Sequence, residues 1–310
     1  MSHKLSKETI EKLLGDNLGL VASGYIPDNL EYEVLNPLKI AEIKEDIEKI
    51  TSNKLLPVSG PERESQWEAG WGQNLTSFSE SKDLADLIPK YFQKYEFVRI
   101  KGEFVRPGTP LMELKMLRII QAHLIEKHVL GENLENLIEI GCGTGHNLVH
   151  INSLFPEIKL TGLDWVSTSQ ACIESINRTQ SLSQEIGSAK FDFFNPKFEG
   201  ATDWKGTAVA TFAALEQTGT KFSAFIEWLL KMSPSKVIHV EPERSLLNSD
   251  LLADQLSLNY MESRGYLSGL LDYLVDLENQ GKIEIIEAKR SNMGSYILDG
   301  YSIIVWRPLV

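Results

Sequence analysis

Residues 137–147 read Leu-Ile-Glu-Ile-Gly-Cys-Gly-Thr-Gly-His-Asn. Glycine recurs at Gly141, Gly143 and Gly145, behind an apolar-biased lead. The pattern is a buried strand entering a turn with almost no side chains, where a ligand can press against bare backbone. The amides of the turn and of the helix start behind it form a donor-rich rim. A dinucleotide fingerprint would carry its third glycine where this chain has His146. Cys142 sits inside the turn and offers backbone plus a small side chain. A carboxylate, Asp164, ends the next apolar run, 159–164. An acid at the carboxyl end of a second strand can accept both ribose hydroxyls of a nucleoside. His239 and Glu241 stand two apart at the end of the run 236–241. Alternate strand residues share a face, so the two can act as a base and its orienter. The competing reading is a satisfied core histidine beside a loop acid.

The run 137–147 resembles the first motif of class I S-adenosylmethionine-dependent methyltransferases. In that family an acid stands two positions before the first glycine of G-x-G-x-G, and here Glu139 matches it. The resemblance covers about residues 107–310 and extends to later motifs in order. It implies that Asp164 binds the ribose and that Trp165 lies against the adenine. It places Asp192 on the adenine amino group and Phe193 on the ring, after a third strand at 189–194. It also implies a fourth strand, 207–212, leading from Phe212 into a cofactor-side loop ending at Gln217. The family often shows Leu-Glu-His in that loop. Here the residues are Leu215, Glu216 and Gln217, which weakens the case for a base there. The implied cofactor is S-adenosyl-L-methionine, and no metal is called for.

These residues need elements to hold them. Strand, helix and strand within 137–164 make a βαβ unit, its helix carrying Leu148, Ile151, Leu154 and Phe155. A helix follows at 169–179, with Ser167 as its cap. A fifth helix, 221–232, leads to a fifth strand, 236–241, and the chain closes with strands near 282–287 and 301–306. The fold class is therefore α/β, a Rossmann-like doubly wound seven-stranded sheet whose last strand is antiparallel. Residues 1–106 read as a mostly helical N-terminal extension or lid and 107–310 as the cofactor-binding domain. Apolar spacing predicts helices at 6–20, 37–52 and 81–95, a hairpin at 96–105 around Gly102, and a helix at 111–130.

Two tryptophans, Trp67 and Trp71, stand among glycines and amides in the run 67–74. They form either a lid or substrate wall, or the anchor of a helix on the main domain. The helical stretch 246–280 breaks near Gly265, and Tyr260 and Arg264 interrupt its leucines. They line an acceptor pocket, with Arg264 pairing an anionic group, or else they edge a helix–helix seam. The Trp-rich run and the ending 294–308 are similar to those of bacterial methyltransferases of small-molecule or sugar biosynthesis.

Bulk composition narrows the partners. The net charge is −12 and the chain has no basic stripe, which disfavours nucleic acid. Hydrophobic residues make up 42% of the chain, enough for a full core. The two cysteines, Cys142 and Cys172, have no disulfide or metal spacing and suit a reducing cytoplasm. No run has the length of a membrane span, and the first residues carry no apolar leader region. The resemblance then implies a small-molecule acceptor methylated on oxygen or nitrogen, a sugar or another biosynthetic intermediate; a homodimer is compatible with the chain. The alternatives are a non-catalytic module that binds the cofactor and an aminopropyl transferase on the same fold. The missing aspartate pair after strand four counts against the latter.

Overall fold

Apolar residues alternate sides along the central strands, and helices cover both sides. The computed structural model describes residues 2–198, 200 and 203–309. In chain order the strands and helices are β1 (Ser2–Lys4), α1 (Lys7–Leu14), α2 (Leu20–Tyr25), β2 (Glu31–Val34), α3 (Pro37–Thr51), α4 (Glu64–Ser81), β3 (Val98–Ile100) and β4 (Glu103–Pro107). They continue with α5 (Met112–His128), β5 (Asn136–Ile140), α6 (His146–Leu154), β6 (Lys159–Asp164), α7 (Ser167–Thr179), β7 (Gly187–Lys190) and β8 (Thr207–Phe212). The last are α8 (Ser223–Met232), β9 (Lys236–Glu241), α9 (Leu252–Arg264), α10 (Leu270–Asn279), β10 (Ile283–Arg290), β11 (Met293–Gly294) and β12 (Ser302–Pro308).

Seven strands form one sheet in the order β10-β12-β9-β8-β5-β6-β7. The pairs β5–β6, β5–β8, β6–β7 and β8–β9 are parallel. Strand β12 is antiparallel to both neighbours, β9 and β10. This is the Rossmann-like sheet that the motifs implied, with the last strand reversed and inserted. Its two faces show in the side chains. Leu137, Ala208, Ile238 and Ile303 join a core with α5, α6 and α7. Their neighbours Ile138, Val209, Val237 and Ile304 join another with α8 and α10. Each fully buried aliphatic contributes roughly 1.5–3 kcal/mol, so a one-residue slip in register would be heavily penalised. The order of connection reverses between β5 and β8, and a crevice forms at such a switch point.

The N-terminal third is mostly helical, as its spacing predicts, but it also carries a small sheet that the spacing does not announce. Four of its strands pair with β11 in a second, antiparallel sheet, β1-β2-β4-β3-β11. The predicted hairpin is there, turning through Lys101 and Gly102, both at positive φ. That is the geometry a two-residue hairpin turn needs. The helix expected at 81–95 is instead two short 3-10 turns, Leu84–Leu87 and Lys90–Gln93, separated by Pro89. Proline cannot donate to a continuing helix. The third parallel strand ends at Lys190, so Asp192 and Phe193 stand in the loop beyond it.

Strand β11 comes from the far side of the predicted 106/107 boundary and pairs with β3. Arg99 on β3 is fully buried and ties the regions together. It donates to the carbonyls of Ala253, Tyr296 and Ile297 and to Ser257 Oγ, at 2.6–3.2 Å. Among the described residues, no helix is long and apolar enough to cross a membrane.

Candidate active site

A cavity of about 550 Å³ lies over the carboxyl ends of the parallel strands. This is within the usual size range for small-ligand sites. Its floor is the glycine turn after β5, and Gly141, Cys142, Gly143 and Thr144 all face it. Gly141 has φ +80°, and a Cβ there would lie 2.3 Å from Ala214 Cβ. Gly143 has φ +54°, and a Cβ there would meet the Trp71 ring at 3.1 Å. Side chains at these positions would therefore be strained and would fill the turn. Gly145 caps α6 and packs toward Ile173 on α7, outside the cavity wall. The Cys142 thiol is buried, and burial beside Asp164 and Glu139 pushes its pKa well up. It therefore contributes shape rather than a thiolate.

Asp164 stands at the rim after β6. Its Oδ2 accepts from the Gly143 amide at 2.8 Å and its Oδ1 from the Val166 amide at 3.2 Å. Burial outweighs these bonds and raises its pKa to about 6. Trp165, Phe193 and Phe194 continue the rim as an aromatic wall, with Trp165 and Phe194 centred 6.2 Å apart. Phe212 and Gln217 line the side after β8. Asp192 does not reach the cavity; its Oδ1 accepts from the Phe194 amide at 2.8 Å and shapes the loop that presents the wall.

Glu139 lies under the floor rather than in it. It is fully buried, and its Oε1 accepts from Asn147 Nδ2 at 2.7 Å. This bond joins the end of β5 to α6 across the turn. Burial raises the Glu139 pKa to about 8. Asn147 itself lines the cavity, and its buried Oδ1 has no partner.

The predicted catalytic pair does not reach the cavity. His239 is fully buried within β9, with Nδ1 at 2.9 Å from Thr211 Oγ1. Its ring lies between those of Phe225 and Trp306, and burial lowers its pKa to about 3. It is a core imidazole. Glu241 is also fully buried, and its carboxylate accepts from the amides of Ala214, Leu215 and Glu216 at 3.1–3.2 Å. It holds the turn after β8. That turn presents Glu216 to the cavity. Burial and the charge of Glu241 raise the Glu216 pKa to about 8, against opposing effects of Gln217, Arg264 and Arg63.

The cover is α4 with residues from distant loops. Trp67 and Trp71 stack at 5.2 Å and line the cavity. Glu68, between them, accepts from Ser167 Oγ at 2.6 Å and approaches the Thr168 amide at 3.5 Å. Ser167 was the predicted cap of the helix after β6, but Val166 holds that position without a side-chain bond. The carboxylate from α4 serves the start of α7 instead. Tyr260 and Arg264, from the end of α9, close the far side with Tyr266.

Several lining residues escaped the sequence reading. Arg63 precedes Trp67 by four residues, a helical spacing that signals contact, and its guanidinium sits 4.9 Å over that ring. Glu113, at the start of α5, accepts from Tyr301 Oη at 2.8 Å, and both line the cavity with Tyr91. Burial raises the Glu113 pKa to about 7. Nothing local marks these residues, because 188 positions separate Glu113 from Tyr301.

No family model and no curated protein matches the chain. Among solved structures, the chain is similar to human N-acetylserotonin methyltransferase in complex with its cofactor, at 20% identity and TM-score 0.41. That match covers 63% of this chain and 55% of the other, so the chain spans about half the length of that relative. It is also similar to the O-methyltransferase NcsB1 from neocarzinostatin biosynthesis, at 17% identity over 79% of this chain and 70% of that one, TM-score 0.41. A third is the plantazolicin methyltransferase BpumL, at 13% identity over 80% of this chain and 98% of that one, TM-score 0.45. At TM-scores this low the likenesses decide nothing. The fold stands on its own strand order: a parallel sheet whose order of connection reverses between β5 and β8, with an antiparallel strand beside β9.

Proposed function

We propose that this chain transfers a methyl group from S-adenosylmethionine to an oxygen or nitrogen of a small-molecule acceptor. The observation that supports it most is one cavity with two chemically distinct ends. One end holds the bare glycine turn, Asp164 and the aromatic wall. The other holds Arg63, Glu216, Tyr260, Arg264 and Tyr266.

The first end fits a nucleoside bearing an amino-acid tail. Asp164 has the lone pairs for ribose hydroxyls, and Trp165, Phe193 and Phe194 give flat apolar surface for a purine. Glu113 and the unpartnered Asn147 Oδ1 are acceptors suited to an ammonium group. The cofactor supplies a methyl on a sulfonium, which is already a good leaving group. What remains for the chain is positioning, exclusion of water and custody of one proton. Trp67 and Trp71 shield the cavity from above. Glu216 takes the base role that spacing had given to His239 and Glu241, and Glu241 positions it.

A thermal-shift series with S-adenosylmethionine, S-adenosylhomocysteine and NAD tests the reading. Both sulfur nucleosides stabilise the protein, NAD does not, and Asp164→Ala abolishes the shift. No shift from either nucleoside, or a larger one from NAD, would sink the proposal. Transfer of labelled methyl to a metabolite panel then separates an enzyme from a binding module.

A further inference from the structure

Arg264 is the feature that the proposed methyl transfer leaves unexplained. It is 6% exposed and lines the acceptor end of the cavity. Its guanidinium lies 4.9 Å from the Tyr266 ring centre and 5.8 Å from that of Tyr260. Its Nε is buried without a hydrogen-bond partner. Among the described residues, no carboxylate lies within ion-pair distance of it or of Arg63. Other arginines in this fold are treated differently. Arg99 makes four hydrogen bonds, and Arg290 pairs with Asp254 and Asp299. A buried cation without a counter-charge is costly, and here the cost falls at a ligand site.

Arg63 reaches the same space from the start of α4. One of its NH groups donates to Gln217 Oε1 at 2.7 Å, and its plane lies over Trp67. Burial and the charge of Arg264 both lower its pKa, so the two guanidiniums feel each other. Glu216 does not offset them near neutral pH, since its carboxyl is then mostly protonated. The acceptor end thus holds two cations, one neutral acid and a set of flat rings.

We infer that Arg63 and Arg264 form a fork for an acidic group, and that the acceptor is a planar, aromatic acid gripped by it. A carboxylate or phosphate completes the fork, since both present paired oxygens to guanidinium donors. The rings of Trp67, Tyr260 and Tyr266 bound a slot for the flat body. The inference rests on the methyltransferase reading for the word acceptor, but the anion selectivity is measurable without it.

The test is calorimetric titration with 3-hydroxybenzoate, its methyl ester and phenyl phosphate, with and without saturating S-adenosylhomocysteine. The free acid binds about tenfold or more tightly than the ester, as charge-assisted hydrogen bonds imply. The preference shrinks in Arg63→Met and disappears in Arg264→Met, while S-adenosylhomocysteine affinity is unchanged in Arg264→Met. Phenyl phosphate binding more tightly than the benzoate makes phosphate the natural anion; the reverse makes it carboxylate. Equal binding of acid and ester, no binding of either acid, or a preference that survives both substitutions overturns the inference. If Arg264→Met does not fold, Arg63→Met, just before the cover helix, carries the test. Failure of S-adenosylhomocysteine to bind would instead overturn the methyltransferase reading and leave the anion arms readable.

Discussion

Glu241 and His239 share a strand and a spacing of two, and neither fact says whether the shared face meets ligand or core. In a doubly wound sheet both faces are covered, so an inward-facing pair before the strand ends is buried. His239 meets Thr211 and aromatic rings, and Glu241 turns its carboxylate onto three amides. On the proposed reading, chemistry passes to Glu216, whose amide Glu241 holds. Glu216 has a carboxyl in the cavity and a pKa near 8. A base of that kind is mostly protonated at pH 7 and becomes competent as pH rises. We expect methyl-transfer kcat to climb through about pH 8 and then level. Glu216→Gln should lower kcat about 10²–10⁴-fold, flatten that climb and leave S-adenosylhomocysteine affinity nearly intact. A pH-independent kcat in the unsubstituted enzyme would rule the role out.

At the scale of elements, legibility followed locality. The β5–α6–β6 unit was plain because every signal lies within 30 or so residues: apolar run, glycine turn, periodic helix, apolar run, acid. The same local pattern puts Asp164 and the turn at the strand ends, where both line the cavity. Helix α4 is legible only through its two tryptophans, which the sequence offers as a lid or as the anchor of a helix on the main domain. It carries Gly70 and Gly72, and its buried residues are only Asn74 and Phe78. Its tryptophans face a cavity and a glycine turn instead of a continuous apolar stripe. Strand β11 is two residues long, and its partner β3 lies nearly two hundred positions earlier, so no local pattern announces it. The docking of α4 makes its own prediction. Glu68 is its polar tie to α7, at Ser167 Oγ and the Thr168 amide. A carboxylate at a helix start contributes about 0.3–1 kcal/mol, with a further hydrogen-bond share. Glu68→Ala should therefore weaken S-adenosylhomocysteine binding about three- to tenfold, because Trp71 lies over Gly143 only when α4 is docked. Unchanged affinity by calorimetry would mean that the cover does not help hold the cofactor.

Across the whole molecule, burial suppresses charge both in the cavity wall and in the core behind it. Burial raises Glu113 and Glu241 to about 7 and Glu139 and Glu216 to about 8, from an ordinary 4.5. Burial also lowers His146, His150 and His239 to about 3, from 6.5. The two sets act on stability with opposite signs. The histidines stay neutral in the folded chain and take up protons when it unfolds below about 6.5. Their contribution is present above 6.5 and is lost as pH falls toward 3. The carboxyls hold protons in the folded chain that the unfolded chain has released above 4.5. Their contribution is present below 4.5 and is lost as pH rises through 7 to 8. Above pH 6.5 the histidines have only the last half of their change left, and the carboxyls outweigh them. The ligand-free protein should then lose stability from pH 6.5 to 8.5, where many proteins are flat. Calorimetric midpoints at these two pH values check it. A midpoint that holds or rises would show that these carboxyls ionise freely in the fold. Glu216→Gln removes one of the protons involved, so the variant should decline less steeply over the same interval. The cofactor-loaded protein should also decline less, because an ammonium beside Glu113 favours its ionised form.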